Sequence, residues 1–155
     1  MRLATILFAL ALPLTALAAP PRQQTQAAPT GIVSLAALRG RARPLLIFAP
    51  NPNDPQFEIQ LRRLGANAPV LDDLNVVVIA IPYDSPSPTR AMLTDDGAQA
   101  ARRRFNIPPS GFAVILLGKD GVEQLRSSKP LSIDKLRDTI GASPTRQPEM
   151  HAPHP

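Results

Sequence analysis

Hydrophobic and polar residues alternate in blocks along the middle of the chain, and the blocks predict a series of strands and helices. Three short apolar runs, at residues 44–49, 74–81 and 112–117, have the continuous hydrophobicity of strands that are buried on both faces. A glycine-containing turn at 118–121 follows the last run. We interpret residues 122–127 as the returning strand of a hairpin.

Three amphipathic helix patterns fall between and after these strands. Each begins with a side chain that can accept hydrogen bonds from the free N–H groups of a first helical turn, namely Asp54, Thr94 and Ser132. The predicted inward stripes are Phe57, Leu61 and Leu64; Ala98, Ala101 and Phe105; and Ile133, Leu136 and Ile140. Glu58 and Arg62 stand four residues apart on the first helix and predict an ion pair on its exposed face.

The predicted element order is β-α-β-α-β-β-α. Because strands joined through a helix are parallel and their crossover is right-handed, the first two strands should be parallel neighbours. The final hairpin adds an antiparallel edge. This order predicts an α/β, thioredoxin-like fold with a central mixed sheet and helices on both faces.

Residues 1–18 have the pattern of a secretory signal peptide. Arg2 supplies the positive charge, residues 3–17 are almost entirely apolar, and Ala16 and Ala18 are the small residues that a signal peptidase reads. The run is shorter than the roughly 20 residues of a transmembrane helix, although an N-terminal membrane anchor is the alternative. We expect cleavage after Ala18, no transmembrane segment afterwards, and an exported protein that is periplasmic or secreted.

Two segments flank the predicted domain at residues 31–141. Residues 19–30 are rich in Pro, Gln and Ala, lack apolar periodicity and predict a disordered spacer. Residues 142–155 carry four prolines and predict an irregular tail.

The composition excludes several chemistries. The chain contains no cysteine, so it can form no disulfide and offers no thiolate nucleophile or cysteine metal ligand. Its two histidines, His151 and His154, lie in the tail, which leaves the domain without the most common general base. With Met150 they resemble a weak copper or zinc site, for which adventitious binding is the simpler explanation. We predict no cofactor and no specific metal site.

The charge balance bears on possible partners. The formal net charge of +5 falls to +4 when Arg2 is removed with the leader, and this excess permits adhesion to anionic envelope polymers. One Tyr, five Phe and no Trp are too few aromatic side chains for a stacking platform. We therefore predict no nucleic-acid partner.

The loop after the first long strand, at residues 50–55, lies where a redox thioredoxin carries its C-x-x-C motif at the start of a helix. Its sequence is PNPNDP, so thiol–disulfide exchange and peroxide reduction are excluded. Thioredoxin-like folds present peptides at this edge, and by that analogy of fold alone Asn51, Asn53 and Asp54 are candidate binding residues.

Three segments carry a resemblance to a known family: 43–50 (RPLLIFAP), 111–121 (GFAVILLGKDG) and 125–128 (LRSS). They are similar to a bacterial domain-of-unknown-function family that is related to the DUDES domains of vertebrate equarin and sushi-repeat-containing extracellular proteins. Residues 140–150 resemble the terminal signature of that family, with several departures. The resemblance spans about residues 33–150 and implies a thioredoxin- or peroxiredoxin-like fold, export and no established activity.

These observations predict an exported, non-catalytic binding or scaffolding module whose partner is an unidentified protein or envelope component. The alternative is an enzyme that uses carboxylates and arginine on an exported anionic substrate, which requires Asp84 or Asp120 to share a cleft with an arginine. The aspartates show no calcium-loop spacing.

Overall fold

The computed structural model describes residues 30–143. The strands are β1 (Gly31–Ile32), β2 (Arg43–Ala49), β3 (Val76–Pro82), β4 (Ala91–Met92), β5 (Ala113–Leu117) and β6 (Glu123–Ser127). The helices are α1 (Pro55–Gly65), α2 (Ala68–Asp73), α3 (Asp95–Phe105) and α4 (Ile133–Gly141).

Four strands form the central sheet in the order β3-β2-β5-β6. Strand β2 is parallel to β3, as a helical crossover requires, and antiparallel to β5, which pairs in turn with β6 as a hairpin. The mixed α/β sheet of the thioredoxin-like fold is thus confirmed.

Strand β2 shows why the strand sequences are continuously apolar. All seven of its residues are buried, and the five side chains from Leu45 to Ala49 alternate between two separate hydrophobic clusters. Leu45 and Ile47 pack on one face of the sheet, and Leu46 and Phe48 pack on the other. A strand covered on both faces is continuously apolar along its covered length, which distinguishes it from a half-exposed strand. The exception is Arg43 at the start of β2, which is buried and donates to the carbonyl of Leu74 at 3.1 Å.

The two clusters place the helices on opposite faces. Helices α1, α2 and α4 cover one face, through buried residues such as Phe57, Leu71 and Leu136. Helix α3 covers the other face through Ala101 and Phe105, together with the turns that precede β2. The predicted inward stripes are therefore confirmed in position.

The predicted helix starts are also observed. Asp54 accepts hydrogen bonds from two N–H groups of the first turn of α1, and Thr94 and Ser132 each accept one at the starts of α3 and α4. The predicted ion pair is wrong: Glu58 and Arg62 are exposed, and within residues 30–143 neither forms a salt bridge. Water screening leaves such surface pairs little net attraction, which agrees with this result.

Three short elements are absent from the sequence prediction. Helix α2 lies between α1 and β3 and ends at Asp73. Strands β1 and β4 form a separate two-stranded parallel sheet. Thr89 connects the end of that sheet to β3, because its hydroxyl accepts from the N–H of Ala80 at 3.0 Å and donates to the carbonyl of Ala91 at 2.9 Å.

The β5–β6 hairpin is tied to α3 by Arg126. Its guanidinium donates to the carbonyl of Phe105 at 3.0 Å and forms two bonds of 2.8 Å to the carboxylate of Glu123. The bond from Arg126 holds the pKa of the Glu123 carboxyl below its ordinary value, and the positive charges of Arg126 and Arg104 act in the same direction against partial burial.

We expect Glu123→Gln to lower the free energy of unfolding at pH 7 by about 0.2–1 kcal/mol, the range of exposed ion pairs. A depressed carboxyl pKa contributes stability above the unfolded pKa, and this contribution is lost as pH falls through the lower folded value. The difference between wild type and variant in urea unfolding should therefore shrink below about pH 4.5. A difference that is constant down to pH 3 would assign the loss to packing instead.

Candidate binding edge

Three loops meet at the carboxyl ends of β2 and β3. The register of the parallel pair sets Ala49 opposite Pro82, so the loops that follow both strands leave from the same edge. Antiparallel pairing sets Phe48 opposite Ala113 and brings the segment that precedes β5 to that edge as well. We call the loops at 50–54, 83–90 and 106–112 together the binding edge.

The first of these loops is held by its own hydrogen bonds. The side-chain oxygen of Asn51 accepts from the N–H of Asn53 at 3.0 Å, which is an Asx turn. The Asn51 carbonyl accepts from the N–H of Asp54 at 3.3 Å. One carboxylate oxygen of Asp54 then accepts from the N–H groups of Gln56 and Phe57, both at 3.0 Å. The loop therefore turns directly into the start of α1.

These bonds distinguish the three candidate residues that the sequence suggested. Asn51 and Asp54 are half-buried, and their side chains support the turn and the helix cap. Asn53 is exposed, and its side chain makes no hydrogen bond within residues 30–143. Asn53 is thus the member of the set whose side chain is open to a partner, and binding through any of the three remains a prediction.

Arg102 joins the three loops beneath the edge. Its Nη2 donates to the carbonyl of Ala49 at 2.6 Å and to that of Ile81 at 2.8 Å, and its Nη1 donates to the carbonyl of Pro108 at 3.0 Å. Those carbonyls belong to the end of β2, the end of β3 and the segment before β5. A single guanidinium therefore holds all three loop bases in one arrangement.

The environment of Arg102 is apolar and lacks a counterion. The residue is 4 % exposed, its guanidinium lies 5.5 Å from the ring centre of Phe48 and 5.3 Å from that of Tyr83, and within residues 30–143 it pairs with no carboxylate. Desolvation lowers the pKa of Arg102, and the charge interaction with Tyr83 opposes this shift. Backbone carbonyls and aromatic faces stabilise the buried charge in place of an acid.

Sequence reasoning missed this role. Three consecutive arginines at 102–104 end α3, where positive charge complements the negative end of the helix dipole, and this pattern alone favours exposed side chains. Arg103 and Arg104 are exposed, but Arg102 is buried. The helical spacing contained the signal, since Arg102 lies four residues after Ala98 and three before Phe105 and so falls on the inward stripe.

A cleft between the 83–90 loop of the edge and α3 is lined by acidic groups and by this arginine. It has a volume of about 390 Å³ and is lined by Tyr83, Asp84, Asp95 and Arg102 among others. Asp120 lies apart from it, in the β5–β6 turn, where its carboxylate accepts from the N–H of Val122. No group of three metal-ligating side chains occurs in the described part of the chain.

The family of the chain follows from its sequence match. Residues 34–149 match the profile of the domain of unknown function DUF4174, and the chain belongs to that family. A comparison with curated proteins finds no match.

The weak copper or zinc site considered for the tail cannot be compared with the structure, because Met150, His151 and His154 lie outside the described residues.

Solved structures of similar fold include a thioredoxin peroxidase, a thiol-disulfide oxidoreductase domain and a putative thioredoxin. Thioredoxin peroxidase I of Plasmodium yoelii superposes with a TM-score of 0.56 at 18% identity, over 79% of this chain and 83% of that one. The thioredoxin domain of a Bacteroides vulgatus thiol-disulfide oxidoreductase gives 0.51 at 18% identity, over 72% and 89%. A putative thioredoxin from Neisseria meningitidis gives 0.50 at 22% identity, over 79% and 89%. At these identities the similarity establishes the thioredoxin-like fold alone.

We expect Arg102→Met to lower the free energy of unfolding by about 2–4 kcal/mol, because it removes the charged donor from three carbonyls, of which those of Ala49 and Ile81 are buried. Arg103→Met, at the exposed neighbouring position, is the control and should change stability by less than about 0.5 kcal/mol. Urea unfolding followed by far-UV circular dichroism measures both. Equal losses in the two variants would contradict a bracing role for Arg102.

Proposed function

We propose that this protein is an exported, non-catalytic binding module that contacts its partner through the binding edge. The observation that carries the proposal is the bracing of that edge by Arg102, which bonds to Ala49, Ile81 and Pro108. The chain has no cysteine at the place where the redox relatives of this fold keep theirs. The edge is therefore a braced surface that cannot carry out thiol chemistry.

The composition of the edge supports a contact role. Tyr83 is 46 % exposed and lies over the braced guanidinium, and tyrosine is a common anchor in protein interfaces. Many of the chain's prolines lie at or next to the edge: Pro50, Pro52, Pro55, Pro82, Pro86, Pro88, Pro108 and Pro109. Proline fixes φ, so these loops lose little conformational entropy when a partner binds.

An enzyme acting on an anionic substrate is the second candidate, and the cleft beside the edge is what favours it. Asp84 and Asp95 share that cleft with Arg102, as the alternative requires. Two exposed carboxylates would repel an anion, however, and Arg102 already donates to three carbonyls. The binding role therefore agrees better with the geometry.

The proposal of export depends on the signal-peptide pattern of residues 1–18, which precede the described part of the chain. Within residues 30–143 no helix is long and apolar enough to cross a membrane. We expect the mature protein to begin at Ala19, and Edman sequencing or intact mass of the protein purified from its native envelope fraction measures this. An intact Met1 on a protein recovered from the cytoplasm would refute export.

Site-specific photocrosslinking tests the binding edge. A crosslinking amino acid at Asn53 should yield a discrete adduct in the native envelope, whereas the same probe at Val122 should yield none. Val122 is a matched control because it is 60 % exposed in the turn before β6, away from the loops of the edge. Comparable adducts from both positions would indicate unspecific proximity and contradict the proposal.

We further expect Tyr83→Ser and Asn53→Arg each to weaken binding of the crosslinked partner by about tenfold or more, as loss of an interface anchor does. Val122→Arg should leave the affinity unchanged. Isothermal calorimetry gives the three affinities, and thermal unfolding shows whether the variants remain folded. Unchanged affinity in both edge variants would refute this surface as the contact.

A further inference from the structure

A second concave surface lies on the α3 face of the sheet, outside the binding edge. It is a groove of about 820 Å³ between the segment at 32–42, the start of β3 and one side of α3. This volume is within the range of sites that hold small molecules. The groove is half open and mostly apolar, and the proposed edge function uses none of it.

The apolar part of the groove is built from the second hydrophobic cluster. Leu38, Val77 and Ala101 are buried at its base, and Val33 and Leu93 are partly buried along its sides. Ile32, which also lines the groove, is 72 % exposed. The isoleucine of β1 is thus left in water beside a surface against which a further apolar group can pack.

Helix α3 creates the space for the groove. Gly97, Ala100, Ala101 and Arg104 recur on its groove side at spacings of three, one and three residues, which is one helical face. The first three are small, so the concavity runs along the helix until it reaches the long side chain of Arg104.

The groove carries more positive than negative charge. Arg41 and Arg104 line it and are exposed, with Asp72 as the one carboxylate among the lining residues. Arg104 donates to the carbonyl of Gly121 at 3.0 Å. Arg39 lines a small cavity that shares Arg104 with the groove, and none of these three arginines forms a salt bridge within residues 30–143.

We propose that this groove binds a free fatty acid, with its acyl chain on the apolar base and its carboxylate on Arg41 and Arg104. Apolar lining favours the chain through burial of methylene groups. Guanidinium groups favour a carboxylate through charge-assisted hydrogen bonds. A simple anion would gain nothing from the apolar base, and a neutral lipid would accept only the weaker, uncharged hydrogen bonds from the arginines.

A chain-length series tests the apolar half of the proposal. Titration with octanoate, decanoate and dodecanoate below their micellar concentrations should show affinity rising by up to about fourfold per methylene, the effect of burying one CH₂. The form that begins at Ala19 is titrated beside the full chain, so that binding to the hydrophobic leader is identified. Affinity independent of chain length, or binding by the full chain only, would overturn the proposal.

A charge comparison tests the arginine half. The double variant Arg41→Gln/Arg104→Gln should weaken dodecanoate binding by about tenfold or more and leave binding of dodecan-1-ol, which has no charge, unchanged. Ala100→Phe, at an exposed position that lines the groove, should weaken both ligands. Gln99→Phe, which is adjacent on α3 but lines the other cleft, should weaken neither.

Other occupants give distinguishable results. Binding that appears only after residues 19–29 or 144–155 are deleted would show that the chain's own segment fills the groove. Concentration-dependent dimerisation that Ala100→Phe abolishes would assign it to a second copy. Either result overturns the proposal. Since Tyr83→Ser leaves the groove intact, fatty-acid binding and partner binding at the edge succeed or fail independently.

Discussion

The buried guanidinium of Arg102 is the interaction on which the binding edge depends. It lies where two parallel strands end and an antiparallel strand begins, and three backbone carbonyls from these segments point to it. The carbonyls of Ala49 and Pro108 also accept from the N–H groups of Tyr83 and Gly111. A carbonyl oxygen can accept two hydrogen bonds, and an arginine can donate to several carbonyls at once because its donors are fixed in a plane. The charge is retained because Phe48 and Tyr83 cover it with their rings.

The choice of carbonyls rather than a carboxylate as partners of Arg102 affects the whole binding edge. A carboxylate partner would neutralise Arg102 and leave the loops to find their own hydrogen bonds. Because Arg102 instead donates to the carbonyls of Ala49, Ile81 and Pro108, its hydrogen bonds connect the start of each loop to the ends of the sheet strands. The three loops of the edge are thereby held together without a disulfide. Asn53 and Tyr83 are exposed on these braced loops, which favours preorganisation for binding. The groove on the α3 face has a different origin, since small residues on one side of a helix leave space there.

Much of the fold could be predicted from local patterns. Strands β2, β3 and β5 are apolar at nearly every position because both faces are covered, and the starts of α1, α3 and α4 depend on one capping side chain each. Strands β1 and β4 could not be predicted, because two residues carry no periodicity and pair only through tertiary proximity. The same holds for α2, which is six residues long.

The sequence by itself determined membership of a family of unknown function, the absence of cysteine from this chain and a thioredoxin-like order of elements, because composition and the order of apolar strands can be read along the chain. It also placed Asn51, Asn53 and Asp54 in the loop after β2. Only the tertiary structure decided that two of these side chains support the loop and one is open, and that the guanidinium of Arg102 donates to the carbonyls of three separate segments. The reason is that three carbonyls distant in sequence become neighbours only when the sheet forms.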